Sequence, residues 1–396
     1  MRVYADNAAT TKMSIKAIDA MLPYLNIIYG NPSGLYEEGR RAREAVDDAR
    51  NRIGNHFRCS GKEIIFTSGG SEADTQAVIT AAATGEKSGK KHIISTAFEH
   101  HAVLNALESL KTRGFEITLI DIPEDGIVKP GQIQKALRED TCMVSVMYAN
   151  NEIGTIQPIS EIGKICREHN VLFHTDAVQA AGHINIDVVR DNVDMMSISA
   201  HKFHGPKGAG ALYMRKGIRA SRVIFGGAQE RGRRAGTENV PAIMGMAAAL
   251  DEACEHMEIN AERTVRLRNR LIDRLSEVPH SILNGSLSSR LPGNVSFSFE
   301  AVEGETMLIL LDQKGICASS GSACASGSID PSHVITALGR PHEIALGTLR
   351  LTIGEETTEK EIDYIIDAVK GTVETIRSCS PVWRELQAGR RDYVLK

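Results

Sequence analysis

The sequence lacks a basic excess. Its formal net charge is −4, whereas proteins that grip nucleic acid carry a clear surplus of Lys and Arg, so no direct nucleic-acid partner is expected. Long apolar runs are missing too. Nothing approaches the roughly 18 apolar residues that mark a membrane-spanning helix, and the opening "MRVYADNAAT" has no apolar signal core. Seven cysteines are present, Cys59, Cys142, Cys166, Cys254, Cys317, Cys324 and Cys379, but never as a C-x-x-C pair. An odd, scattered set argues against a disulfide framework and a structural zinc, so no metal is expected and most thiols read as core fillers. These absences predict a cytoplasmic protein with no membrane partner. The phosphate-binding pattern G-x-x-x-x-G-K-[ST] is also absent. The basic run "RGRR" at Arg231 to Arg234 reads as solvated or as a subunit contact.

What is present is an alternation. From about residue 60 to 215, short apolar runs such as "EIIFTSGG", "KHIIST", "FEITLIDI", "TCMVSVMYAN", "VLFHTDA", "VDMMSISA" and "GAGALYM" are separated by helical spacings. That order predicts an α/β fold with a mostly parallel sheet and helices on both faces. Pro241 then opens a helical tract too long for one packed helix, which reads as a connection between domains. The later segments "NVSFSFE", "GETMLILLDQKG", "GTLRLTIG" and "TEKEIDYIIDAVKGTVETI" suit a smaller α+β domain.

In such sheets ligands sit at the carboxyl ends of the strands, and four of those ends carry unusual chemistry. "FTSGGSEAD" puts glycines and Ser71 at a helix start, which suits a phosphate or simply a tight turn with Ser71 as N-cap. "VLFHTDAVQ" ends an apolar strand on Asp176, with Gln179 on the next turn; a buried carboxylate there needs a cation, or is a cap. His100 and His101 follow a third strand, where capping or packing is the plainer role. "SISAHKFHGPKG" places Ser199, His201 and Lys202 between two strands. Lys202 could be a solvated charge; in a pocket, burial would lower its pKa and free a nucleophilic amine. An amine, an anion site and a buried Asp at one edge together fit pyridoxal phosphate.

These segments resemble a known family. "YADNAATT", "NPSG", "TSGGSEAD", "EHHAVL", "NNEIGTIQPI", "HTDAVQA", "SAHKFHGPKG", "RAGTENV", "SSGSACASGS" and "TLRLTIG" follow one another from about Tyr4 to Trp383 as in the NifS/IscS-type cysteine desulfurases. The resemblance implies a pyridoxal-phosphate transferase of fold type I. It further implies a large domain over 15–257 with a mostly parallel seven-stranded sheet, and a small domain from 1–14 and 258–396. The activity implied is conversion of L-cysteine to L-alanine, with a persulfide formed on Cys324. Lys202 then resembles the Schiff-base lysine and His100 the ring-stacking proton carrier. Asp176 matches the partner of the pyridine nitrogen, and Gln179 the contact to the ring hydroxyl. Gly70, Ser71, Ser199 and His201 match phosphate ligands. Thr237 matches a residue that reaches the phosphate of a neighbouring subunit, implying a homodimer. Asn151 and Arg350 match the groups that hold the substrate carboxylate, for which the planar Arg fork is suited.

Cys324 lies in Ser/Gly/Ala-rich sequence with little to bury, which suits a sulfur-carrying loop or an ordinary exposed cysteine. Cys317 reads as buried after an apolar strand. The resemblance also implies an acceptor for the sulfur: an iron–sulfur scaffold, nitrogenase assembly or tRNA thiolation. The tail "SPVWRELQAGRRDYVLK" keeps the family's Ser-Pro-x-Trp start, then becomes basic, and is expected to be solvated.

Overall fold

The computed structural model describes residues 1–320 and 330–395; Cys324 lies outside the described residues. The strands in chain order are β1 Val3–Tyr4, β2 Ile64–Thr67, β3 His92–Thr96, β4 Glu116–Ile120, β5 Thr141–Ser145, β6 Leu172–Asp176, β7 Met195–Ser199, β8 Gly210–Met214, β9 Ser281–Leu283, β10 Asn294–Phe299, β11 Ile316–Cys317 and β12 Thr348–Thr352. Seven of them form one sheet in the order β2-β8-β7-β6-β5-β3-β4. Every pairing in it is parallel except those of β8, which runs antiparallel to both β2 and β7. The expected fold class is the observed one.

The strands read as near-continuous apolar runs because the sheet is covered on both faces. On one face, Ala73, Ala77, Ala81 and Ala82 of the helix Gly70–Lys87 are all fully buried with Ile65, Ile93 and Met143. These small side chains let the helix backbone approach the sheet closely. On the other face pack the helices Glu37–His56, Ile159–Glu168 and Val240–Glu255. A separate core forms where β10 and β12 meet the helices Met257–Leu275, Gly304–Gln313 and Glu359–Cys379, with Val3 and Ala5 added from the chain's start. The long tract after Pro241 breaks at His256. Its first helix belongs to the sheet's core and its second to the other.

Two expectations need correction. The basic tail is not simply solvated: Tyr393 stacks on His280 at 3.7 Å between ring centroids, and Trp383 lies under the Arg377 guanidinium at 4.1 Å. The Glu300 carboxylate accepts the backbone N–H groups of Val394 and Leu395 at 2.8 and 3.0 Å, so the tail is fastened by its backbone. Cys317 is half-buried: it ends the two-residue β11, which among the described residues pairs with β1. The run Arg231 to Arg234 also makes contacts within the chain: Arg234 pairs with Glu72 at 2.8 Å, Arg233 donates to the Lys62 carbonyl, and the exposed Arg231 lies 3.6 Å from Asp47.

Candidate active site

Because β2 and β7 are both antiparallel to β8, β2 runs the same way as the parallel strands. The carboxyl ends of β2, β3, β5, β6 and β7 therefore share one edge. Gly70 and Ser71 follow β2, His100 follows β3, Asn151 follows β5, Asp176 closes β6, and Ser199 closes β7. His201 and Lys202 occupy the tight turn Ala200–Lys202 directly after β7.

Lys202 is half-buried, and its Nζ donates to the carbonyls of Ala8 and Ala9 at 2.6 and 2.8 Å. Those carbonyls belong to a strap, residues 5–11, that crosses the edge. One end of the strap is stitched to β12, where Ala8 N–H donates to Thr352 Oγ1 and Asn7 Nδ2 to the Thr352 carbonyl, both at 2.8 Å. The other end is stitched to the lysine's own turn, where Thr11 N–H donates to the His201 carbonyl at 2.9 Å. Gln179 Nε2 donates to the Ala8 carbonyl as well, at 3.0 Å. His201 Nδ1 meets Thr10 Oγ1 at 3.1 Å. Burial, with the charges of Lys202 and Lys207, pulls the His201 ring down to about 4, so it is neutral near pH 7.

Asp176 is 5% exposed, and its Oδ1 accepts the Val178 N–H at 2.9 Å. Burial raises its pKa, against the pull of His100, that N–H and Lys202. A carboxyl so placed favours a cationic N–H partner. His100 caps the helix His101–Lys111 by accepting the Ala102 N–H on Nδ1 at 3.1 Å. The neutral ring then carries its proton on Nε2. Burial lowers the His100 pKa, Asp176 raises it, and Lys202 and His101 lower it, so neutral is the favoured form.

At the end of β2 the N-cap is Gly69, not Ser71, and among the described residues no side chain caps the helix. Ser71 instead sits exposed on the first turn. The unsatisfied N–H groups of that turn and the helix dipole favour an anion. A methyl group on Gly69 would lie 3.8 Å from Ser199 Oγ, and one on Gly70 would lie 2.7 Å from Val178 Cγ2, which places the hydroxyl and the glycines in one cup. Glu72 braces the cup by accepting Ser68 N–H at 2.8 Å and Ser68 Oγ–H at 2.6 Å while paired with Arg234.

Arg350, 4% exposed on β12, donates Nη1 to the Asn151 carbonyl at 3.0 Å and pairs Nη2 with Asp6 at 2.9 Å. Among the described residues, its Nε is buried without a partner. Arg350 and Asn151 are thus brought together. Thr237 stands apart: it is exposed, on a stretch that lines a separate cavity of about 230 Å³ with Thr67, Ser68 and Gly208. Sequence reasoning missed Asp6, the carbonyls of Ala8 and Ala9, and Glu72. The small-residue run "DNAATT" was the available signal for the first three. Together the edge offers an amine, a neutral imidazole, a buried carboxyl, an anion cup and a guanidinium.

Residues 3–365 match the class-V aminotransferase family. The chain belongs to it. Among class-V aminotransferases, a curated relative from Methanosarcina thermophila, cysteine desulfurase IscS, is 47% identical over 380 residues, spanning 96% of this chain and 94% of its own. A cysteine desulfurase IscS from Clostridium botulinum strain Hall is 46% identical over 394 residues, 99% of each chain. A solved NifS-like protein superposes with a TM-score of 0.89 at 37% identity, covering 95% of this chain and all of that one. This class-V aminotransferase is therefore similar to those proteins along nearly its whole length, in sequence and in backbone.

Proposed function

We propose that the chain is a cysteine desulfurase that works with pyridoxal phosphate and forms a persulfide on Cys324. The observation that carries this reading is the single edge on which Lys202, His100, Asp176 and Arg350 converge. Relatives 46–47% identical along the chain and named cysteine desulfurase support it. The donor set fits the cofactor. Asp176 is a buried carboxyl suited to a ring N–H, the first turn of the helix Gly70–Lys87 with Ser71, Ser199 and His201 suits a phosphate, and Gln179 suits the ring hydroxyl. Bound there, pyridoxal phosphate supplies an electron sink for the substrate's α-carbon.

The chain's residues do the rest. Lys202 would hold the cofactor through its Nζ, and once the substrate has displaced it there, its amine would accept the α-proton. Arg350 holds the substrate carboxylate with its planar fork while Asp6 and the Asn151 backbone hold Arg350; the Asn151 side chain is the second substrate contact. His100, its Nδ1 occupied by a backbone N–H, presents Nε2 for proton transfer. The Cys324 thiolate would attack the sulfur of L-cysteine: the S–S bond forms as the substrate's Cβ–S bond breaks, that bond's electron pair stays on the carbon, the carbon takes up a proton, and L-alanine leaves with the persulfide on Cys324. Thr237, exposed on its own subunit, suits a role at the phosphate of a second copy in a homodimer. The same reading divides the chain near residue 257, between a large domain of 15–257 and a small one of 1–14 with 258–396. The break at His256 supports that division, as does the core around β10 and β12, which draws its buried residues from 1–14 and 258–396, while the sheet's core also takes in Leu291, Val334, Ile335, Leu338 and Ala345. The persulfide then passes to an acceptor such as an iron–sulfur scaffold.

The test is alanine release from L-cysteine by the cofactor-loaded protein with a thiol reductant present. Alanine and sulfide should appear in equal amounts, and Cys324→Ala should still bind cysteine yet yield almost none. A keto acid in place of alanine, or full desulfuration by that variant, would overturn the proposal.

A further inference from the structure

Beyond the residues that line the edge, one contact joins the amine-bearing turn to the arginine-bearing strand. His204 lies two residues after Lys202, with a left-handed backbone at φ 64°. Its backbone is fixed by the end of the strap and by the residues just after it, since its N–H donates to Thr11 Oγ1 at 2.8 Å and its carbonyl accepts the Ser14 N–H at 2.9 Å. Its ring Nδ1 meets the Lys12 carbonyl at 2.9 Å, and its Nε2 meets Glu355 Oε1 at 2.7 Å. Glu355 follows β12, five residues after Arg350, on a turn anchored by Arg263 through the Glu355 and Thr357 carbonyls.

The partners dictate the protonation state. A carbonyl oxygen can only accept, so Nδ1 must carry a proton. An ionised carboxylate can only accept as well, so Nε2 must carry one too. Burial pushes Glu355 up, but the hydrogen bond and charge of His204 outweigh it and hold the carboxyl down to about 2. It is therefore ionised near neutrality, and both contacts are satisfied only by an imidazolium. Burial pulls His204 down, and the Glu355 hydrogen bond and charge outweigh that, leaving it raised from 6.5. The other charged or titratable groups facing the pair are Glu356, itself 3.7 Å from Lys12, together with Lys207 and His183. His183 Nε2 in turn donates to the Lys202 carbonyl at 2.8 Å.

We propose that the charged His204–Glu355 pair is a positioning strut that sets the spacing between Lys202 and Arg350, and so the fit of the amino-acid substrate. This rests on the desulfurase reading. The signs follow from the two groups. The folded pKa of Glu355 is depressed, so its half of the pair is present above about pH 4.5. That of His204 is raised, so its half is complete below about 6.5 and is lost as pH rises through the folded value. Above that value Nδ1–H keeps its bond to Lys12, and a bare Nε2 lone pair faces the carboxylate.

The test compares the cofactor-loaded wild type with Glu355→Gln and with His204→Asn; asparagine tolerates the left-handed backbone but carries no charge. Near pH 7 both variants should raise KM for L-cysteine about two- to fivefold with kcat little changed. The variant-to-wild-type KM ratio should then fall to about one at alkaline pH, where the wild type loses the strut as well; taking the ratio cancels the substrate's own ionisation. A ratio that stays flat with pH, or stays at one throughout, overturns the proposal. Independently, nitrogen NMR of labelled histidine should show the His204 ring charged near pH 7 in the wild type and neutral in Glu355→Gln. Titration of His204 at or below its ordinary value in the wild type refutes the strut outright. If the wild type releases no alanine from L-cysteine, the desulfurase reading fails and the imidazole titration alone decides the pair.

Discussion

Gly210→Ala should damage the anion cup without touching any residue assigned to chemistry. Gly210 begins β8 and lies between the ends of two neighbours, opposite Thr67 of β2 and Ser199 of β7. A β-carbon there would stand 2.6 Å from Gly69 Cα, 2.7 Å from Gly69 C and 2.7 Å from the Ile198 carbonyl oxygen. All three are backbone atoms, so no side chain can swing away. Restoring ordinary van der Waals contact requires a shift of about 1 Å in the turn that leads into the helix Gly70–Lys87. Such overpacking costs about 1–3 kcal/mol. In a chain of this length that lowers the unfolding midpoint by roughly 1–4 °C. The larger effect is on binding, because a cup displaced by about 1 Å loses its alignment; affinity for pyridoxal phosphate should fall about tenfold or more. Thermal melts and titration of the cofactor's visible absorbance read the two effects separately. Gly208→Ala is the control: its φ of 77° makes alanine strained, but nothing lies within 4 Å of the added carbon. It should cost about 1 kcal/mol in stability and leave cofactor affinity nearly unchanged. A Gly210→Ala protein that binds the cofactor as tightly as wild type would refute the reasoning.

Asp176→Asn keeps the shape and can still accept the Val178 N–H, so melting should change little while alanine release drops about a hundredfold or more; activity within a few-fold of wild type would remove Asp176 from its assigned role. Arg350→Lys gives up the planar fork and the contact to either Asp6 or Asn151, and steady-state kinetics should show KM for L-cysteine up about 10- to 100-fold. His56 is pushed up to about 9, chiefly by its hydrogen bond to Asp251. Its contribution to stability is complete below about 6.5 and is lost as pH rises through about 9. The gap in melting temperature between wild type and His56→Gln should therefore be widest near pH 6 and close by about pH 10.

The legible parts of this molecule are those written in periodicity and position. Asp176, His100 and Lys202 could be placed at one edge because each ends or follows an apolar run, and strand order did the rest. For Ser71 the sequence left cap and phosphate site open, because serine at a helix start looks the same either way; Gly69 takes the cap position. The strap was invisible for a different reason. It acts through the carbonyls of Ala8 and Ala9, which every residue type possesses, and it meets Lys202 from 194 residues away. The tail's docking escaped notice likewise, since Glu300 binds the backbone of Val394 and Leu395 and no side-chain pattern announces it.

The strap also fixes an order of events. Residues 5–11 are synthesised long before their partners: Ala8 bonds to Thr352 across 344 positions and to Lys202 across 194. At about 5–20 residues per second the chain's start waits roughly 17–70 s for Thr352 to emerge. The sheet edge and the strap's contacts to Lys202 can form in that interval, but the strap's tie to β12 cannot. The strap's tie to β12 is thus a highly non-local contact, and a nascent chain stalled before residue 348 would carry every strand of the main sheet but neither Arg350 nor that anchor.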